Sequence, residues 1–124
     1  MNIETFIRER ALSFPATAEA PHHKTLAFKV KGKIFVTLNL PERRATLHFS
    51  LENQDLFSAV SQGSIHPVPN KWGKYGWTTV HLDTVHPELL HDALLVAWRD
   101  TAPEAFQQQY PHWFEDEMEA GGQE

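Results

Sequence analysis

The chain has 124 residues, 41% hydrophobic and 22% charged, which fits one folded domain and excludes a wholly disordered protein. No apolar run approaches the ~20 residues of a membrane span. Cysteine is absent, which removes disulfides, thiolate catalysis, zinc ribbons and iron–sulfur clusters, and the net charge of −5 argues against indiscriminate coating of DNA.

The charge is segregated along the chain. Residues 22–81 carry eight Lys and Arg against three Asp and Glu, whereas the remainder carries three against thirteen. From Asp100 onward there are seven acids and no Lys or Arg. An acidic protein with a basic middle can still present an anion-binding face. The alternative is a set of solvated strands with an acidic tail that aids solubility. The N-terminal MNIETFIRERALSF lacks the apolar run and cleavage site of a signal peptide, so a cytoplasmic protein is expected.

In chain order, Asn2 can cap a first helix whose Ile3, Phe6, Ile7, Ala11 and Phe14 recur at helical spacing before Pro15. PATAEAPHH, with two prolines and two histidines, reads as a connector. Leu26, Phe28 and Val30 alternate with smaller or charged residues as a half-buried strand does. Lys31 and Gly32 form a two-residue turn. Ile34, Val36, Leu38 and Leu40 then share one face of a return strand, and a turn through Arg43 and Arg44 leads to Ala45, Leu47, Phe49 and Leu51. Asn53 or Asp55 opens a short helix with Leu56, Phe57 and Val60 as its apolar positions, and Gly63 ends it. Pro67 and Pro69 allow only a short or edge strand near Val68. Thr78, Val80 and Leu82 share a face of the last strand. His86 and Pro87 start a long helix with the stripe Leu90, Ala93, Leu94, Ala97, Trp98 and Thr101. A short helix follows from Pro103 to Tyr110.

The order is therefore α-β-β-β-α-β-β-α. The expected fold is an α+β two-layer sandwich, a five-stranded antiparallel sheet with helices on one face. Residues 1–110 make the domain, and 111–124 an acidic tail at least partly disordered. The open sheet face would carry Thr25, Ala27, Lys29, Phe35, Thr37, Asn39, Thr46, His48, Ser50, Trp77, Thr79 and His81. Phe35 and Trp77 on a polar face are a weak mark of a binding surface.

Two stretches resemble the MmcQ/YjbR family. One is Pro67-Val68-Pro69-Asn70-Lys71-Trp72 followed by Gly76-Trp77-Thr78-Thr79-Val80-His81-Leu82-Asp83. The other is the Gly-Lys hairpin from Phe28 to Phe35. The resemblance runs from about Ile3 to Gln109. It departs where the family often has a compact His-Trp after Asn-Lys, since Trp72-Gly73-Lys74-Tyr75-Gly76-Trp77 is glycine-rich here. The resemblance implies a bacterial protein with the fold of frataxin and the secretion chaperones, a double-winged DNA-binding role and no catalytic activity.

Three basic turns are candidates to meet phosphates: Lys29, Lys31 and Lys33 at the hairpin, Arg43 and Arg44 at the next turn, and Lys71 and Lys74 in the loop. Asn70 and the rings of Trp72 or Tyr75 are candidates for base or sugar contacts. Taken singly, core packing is the commoner fate of Trp72 and Trp77. No His-Glu-x-x-His, phosphate loop or Gly-x-Ser-x-Gly occurs, so neither enzymatic activity nor a cofactor or metal is expected. His48 and His81 could lie on neighbouring strands. Double-stranded DNA is the expected partner of a monomer. The alternative is a chaperone-like module binding a protein or peptide on the open sheet face.

Overall fold

The computed structural model of the protein describes residues 2–22 and 24–115. Asn2 caps α1 (Ile3–Ser13), its Oδ1 accepting from Thr5 N at 3.0 Å. The segment expected to connect this helix to the sheet is itself a strand, β1 (Thr17–His22), which pairs antiparallel with β2 (Thr25–Val30) from Thr17↔Val30 to His22↔Thr25. The sheet therefore has six strands, not five. Pro21 lacks an N–H, and a strand containing it is tolerated because β1 is the sheet edge.

The hairpin to β3 (Lys33–Asn39) turns on Lys31 and Gly32, both at positive φ, which matches the right-handed twist of the flanking strands. A β-bulge interrupts this pairing. Phe28 faces Val36 but Lys29 faces Ile34, so Phe35 is the extra residue. The extra residue resets the alternation. Phe35 and Val36 are both fully buried, Ile34 is half-exposed, and the Phe35 ring lies 6.3 Å from Phe14. Phe35 is thus a core residue and does not mark the open face.

β4 (Arg44–His48) ends earlier than its apolar pattern suggests, because Ser50 caps α2 (Leu51–Val60) through its side chain. The cap is Ser50 rather than Asn53 or Asp55. Leu51 is the first residue of α2, and Leu51, Leu56 and Val60 are exposed, while Phe57 stacks on Phe49 at 5.0 Å. β5 (Ile65–Pro67) and β6 (Trp77–His81) complete the sheet in the order β1-β2-β3-β4-β6-β5. α3 (Pro87–Thr101) is capped by His86 and buries the stripe from Leu90 to Thr101. After α4 (Ala105–Gln109), a 3-10 turn at Pro111–Phe114 brings the Phe114 ring to 5.3 Å from Trp98. The disorder expected of the tail falls on residues 116–124, outside the described residues.

One apolar cluster joins Ile7 and Ala11 of α1, Phe57 of α2 and Leu90, Leu94 and Ala97 of α3 to Phe28, Val36, Leu38, Leu47, Ile65 and Val80 of the sheet. The helices cover this face. The other carries half-exposed Thr25, Lys29, Thr37, Asn39, Thr46, Trp77 and His81. No helix among the described residues is long and apolar enough to cross a membrane.

The edge strand is tied to α1 by charge. Arg8 donates to Glu19 at 2.8 Å and to Glu4 at 2.9 Å. The hydrogen bond from Arg8 holds the Glu19 carboxyl below the ordinary glutamate range. A carboxylate more acidic when folded stabilises above its unfolded range and loses that contribution as pH falls through its folded value. Glu19→Gln is therefore expected to lower the urea midpoint slightly at pH 7, and the difference from the wild type should shrink as the pH is lowered through the Glu19 titration.

Candidate nucleic-acid interface

The loop between β5 and β6 is a short 3-10 helix, Lys71–Tyr75, rather than an extended wing. Asn70 starts it, Oδ1 accepting from Trp72 N at 2.9 Å, so this oxygen is committed to the backbone. Gly76 ends it at φ 95°, in the left-handed region that glycine enters freely. The turn sits hard against its surroundings. A Cβ at Gly73 would lie 2.4 Å from the Val68 carbonyl oxygen, and one at Gly76 would lie 1.9 Å from that of Phe49.

Gln54 anchors the turn from beneath. It is buried on α2, and its Nε2 donates to Gly73 O at 3.0 Å, Thr78 Oγ1 at 3.1 Å and Trp77 O at 3.2 Å. No motif singles out this residue in the sequence. The available signal is its spacing, three before Phe57, which puts an amide on the buried stripe of α2.

The rigid turn presents its side chains outward. Trp72 is 52% and Tyr75 66% exposed, with ring centroids 6.0 Å apart. Lys71 Nζ lies 5.3 Å from the Trp72 ring, within cation–π range. Trp72 is thus a surface residue, against the usual fate of tryptophan. Trp77 is half-buried and packs on His48 at 5.0 Å. His48 is not free on the open face. Its Nδ1 lies 3.0 Å from Thr101 Oγ1, which ties the end of β4 to α3. Ser50 also leaves that face, its N–H donating to Asp100 at 2.8 Å. With Phe35 buried as well, the open face keeps only Trp77 of the two aromatics expected on it.

The topology sorts the three basic turns. β3 meets β4 with Val36↔Leu47 and Asn39↔Arg44, and β4 meets β6 with His48↔Trp77. The Lys31–Lys33 hairpin and the Lys71–Lys74 turn therefore lie at one end of the sheet. β3 and β6 are two strand spacings apart there, about 10 Å. Arg43 and Arg44 lie at the opposite end and are already engaged, Arg43 with Asp83 at 2.6 Å and Arg44 with Glu42. They do not join the other two turns. Lys29, Lys31, Lys33, Lys71 and Lys74 make no ion pair among the described residues.

The profile of the YjbR family matches residues 12–100. The chain belongs to the YjbR family. The crystal structure of Deinococcus radiodurans protein DR2400, with the domain DUF419, is similar to this YjbR chain with a TM-score of 0.64 and 26% identity, covering 83% of each chain. No curated protein matches it. In this YjbR domain the matched span contains the hairpin and the 3-10 turn together, with the strands that set their separation.

Proposed function

We propose that this YjbR domain is a non-catalytic module that binds duplex DNA weakly through one end of its sheet. The observation that carries the reading is the set of four lysines, Lys31, Lys33, Lys71 and Lys74, exposed and without ion-pair partners among the described residues, beside the exposed rings of Trp72 and Tyr75. Lysines bound to phosphates release counterions, the main sequence-independent term in DNA affinity. Lys29 at the base of the hairpin adds to the same field. The net charge of −5 opposes the approach of a polyanion. At physiological salt the Debye length is about 8 Å, so a local lysine cluster governs contact while distant acids govern encounter. Arg43 and Arg44 fall outside this interface.

The expected affinity is in the non-specific range, about 10⁻⁴ to 10⁻⁶ M at physiological salt. Four phosphate contacts give a slope of log K against log salt of about −3.6. The double variant Lys31→Gln, Lys33→Gln should make that slope shallower by about 1.8, read by fluorescence anisotropy of a labelled short duplex at several salt concentrations. Unchanged affinity and slope in the double variant would remove the hairpin from the interface. Absence of duplex binding by the wild type at low salt would reject the reading.

A further inference from the structure

We infer that His66 and His81 form a two-histidine site for a divalent late transition metal, with Cu²⁺ the ion best suited. His66 is on the edge strand β5 and His81 at the end of β6, and their Nε2 atoms lie 2.7 Å apart. Both side chains are half-exposed, so a hydrated ion can reach them.

The protonation pattern follows from the partners. His66 Nδ1 is 3.0 Å from the Pro67 carbonyl oxygen, which can only accept, so Nδ1 carries the ring proton. His66 Nε2 is then an unprotonated lone pair, and His81 Nε2–H donates to it. A ring N–H held by a backbone carbonyl, leaving the other nitrogen free, is the usual outer-shell arrangement of a metal-ligating histidine. His66 is therefore oriented for ligation in advance. His81 joins by moving its proton from Nε2 to Nδ1 through solvent, with no net proton gained or lost.

The 2.7 Å separation is that of the hydrogen bond, so both rings turn when an ion replaces the shared proton. Two nitrogens 2.0–2.1 Å from the ion then stand about 2.9 Å apart at a right angle or about 3.3 Å at a tetrahedral angle. Imidazole affinity peaks at Cu²⁺ in the divalent series, which makes it the ion of choice. No group of three or more His, Cys, Asp or Glu gathers among the described residues, so water completes the coordination. The nearby cations are already neutralised: Arg44, the cross-strand neighbour of His81, is paired with Glu42, and Arg43 with Asp83.

The test is titration of untagged full-length protein with Cu²⁺ at neutral pH. Paramagnetic broadening in NMR should begin at His66, Thr79 and His81, and the electron paramagnetic resonance spectrum should report two nitrogen ligands. His66→Asn and His81→Asn should each weaken Cu²⁺ binding by more than the roughly 10–100-fold that loss of an outer-shell partner brings. His112→Asn, in the 3-10 turn after α4, should bind as the wild type does. Broadening centred on His22 or elsewhere, with His66 and His81 untouched, would overturn the assignment even if a variant failed to fold. So would wild-type Cu²⁺ affinity in either Asn variant.

Discussion

Trp98→Ala should lower unfolding free energy by about 3–5 kcal/mol, the usual cost of truncating a buried Trp to Ala. Trp98 is fully buried on α3, with ring centroids 6.0 Å from Phe14, 6.2 Å from Phe106, 6.0 Å from Trp113 and 5.3 Å from Phe114. Its Nε1 also donates to Pro15 O at 3.0 Å, joining α3 to the segment between α1 and β1. The variant loses the apolar contact and leaves that carbonyl without its donor. Urea unfolding followed by far-ultraviolet circular dichroism measures the loss. A shift below about 1 kcal/mol would mean that the Pro111–Phe114 turn moves in to refill the space.

Gly76→Ala should cost roughly 2–6 kcal/mol, from two additive causes. A residue with a side chain held at positive φ costs about 1–3 kcal/mol. A methyl group 1.9 Å from the Phe49 carbonyl oxygen must push the backbone of β4 or of the turn aside, and forced overpacking costs about 1–3 kcal/mol. Gly32→Ala separates the two effects. Gly32 has φ 78° and no atom within 4 Å of an added Cβ, so only the backbone cost of about 1–2 kcal/mol remains. Equal losses at the two glycines would mean that the close approach at Gly76 relaxes without cost. The Gly76 variant should also displace Trp72 and Lys71, which the turn carries.

Most strands are legible because their apolar residues keep a period of two. Phe28 and Val30, Val36 and Leu38, Leu47 and Phe49, and Val80 and Leu82 all point into the helix layer as their alternation predicts. α1 and α3 are legible through their caps, Asn2 and His86. β1 is hidden because its inward positions carry almost no apolar surface, and Pro21 argues against a central strand. What holds it is the pairing with β2, which composition does not report. Phe35 is misplaced because a fixed period cannot register an inserted residue. The start of α2 is hidden because Leu51 extends the alternation of β4 by one step past Ser50.

The candidate interface divides along the same line. Lysines at turns are visible in the sequence, and an antiparallel meander already requires successive turns to lie at opposite ends of the sheet. That separates Arg43 and Arg44 from Lys31 and Lys33 before any coordinates are known. Placing Lys71 and Lys74 beside the first hairpin needs the pairing of β6 with β4. Pairing His66 with His81 needs the register of β5. Gln54 and the exposure of Trp72 need three-dimensional packing.

Both margins of the sheet end in strands containing proline, β1 with Pro21 and β5 with Pro67. A margin that lacks donors at these positions is a poorer template for another chain, so growth of the sheet from one molecule into the next is disfavoured on each side. An unstructured peptide cannot readily extend the sheet either. Side chains at the ends and faces of the sheet are therefore better placed than its margins to hold a macromolecule, and selectivity built from them is open to change one residue at a time.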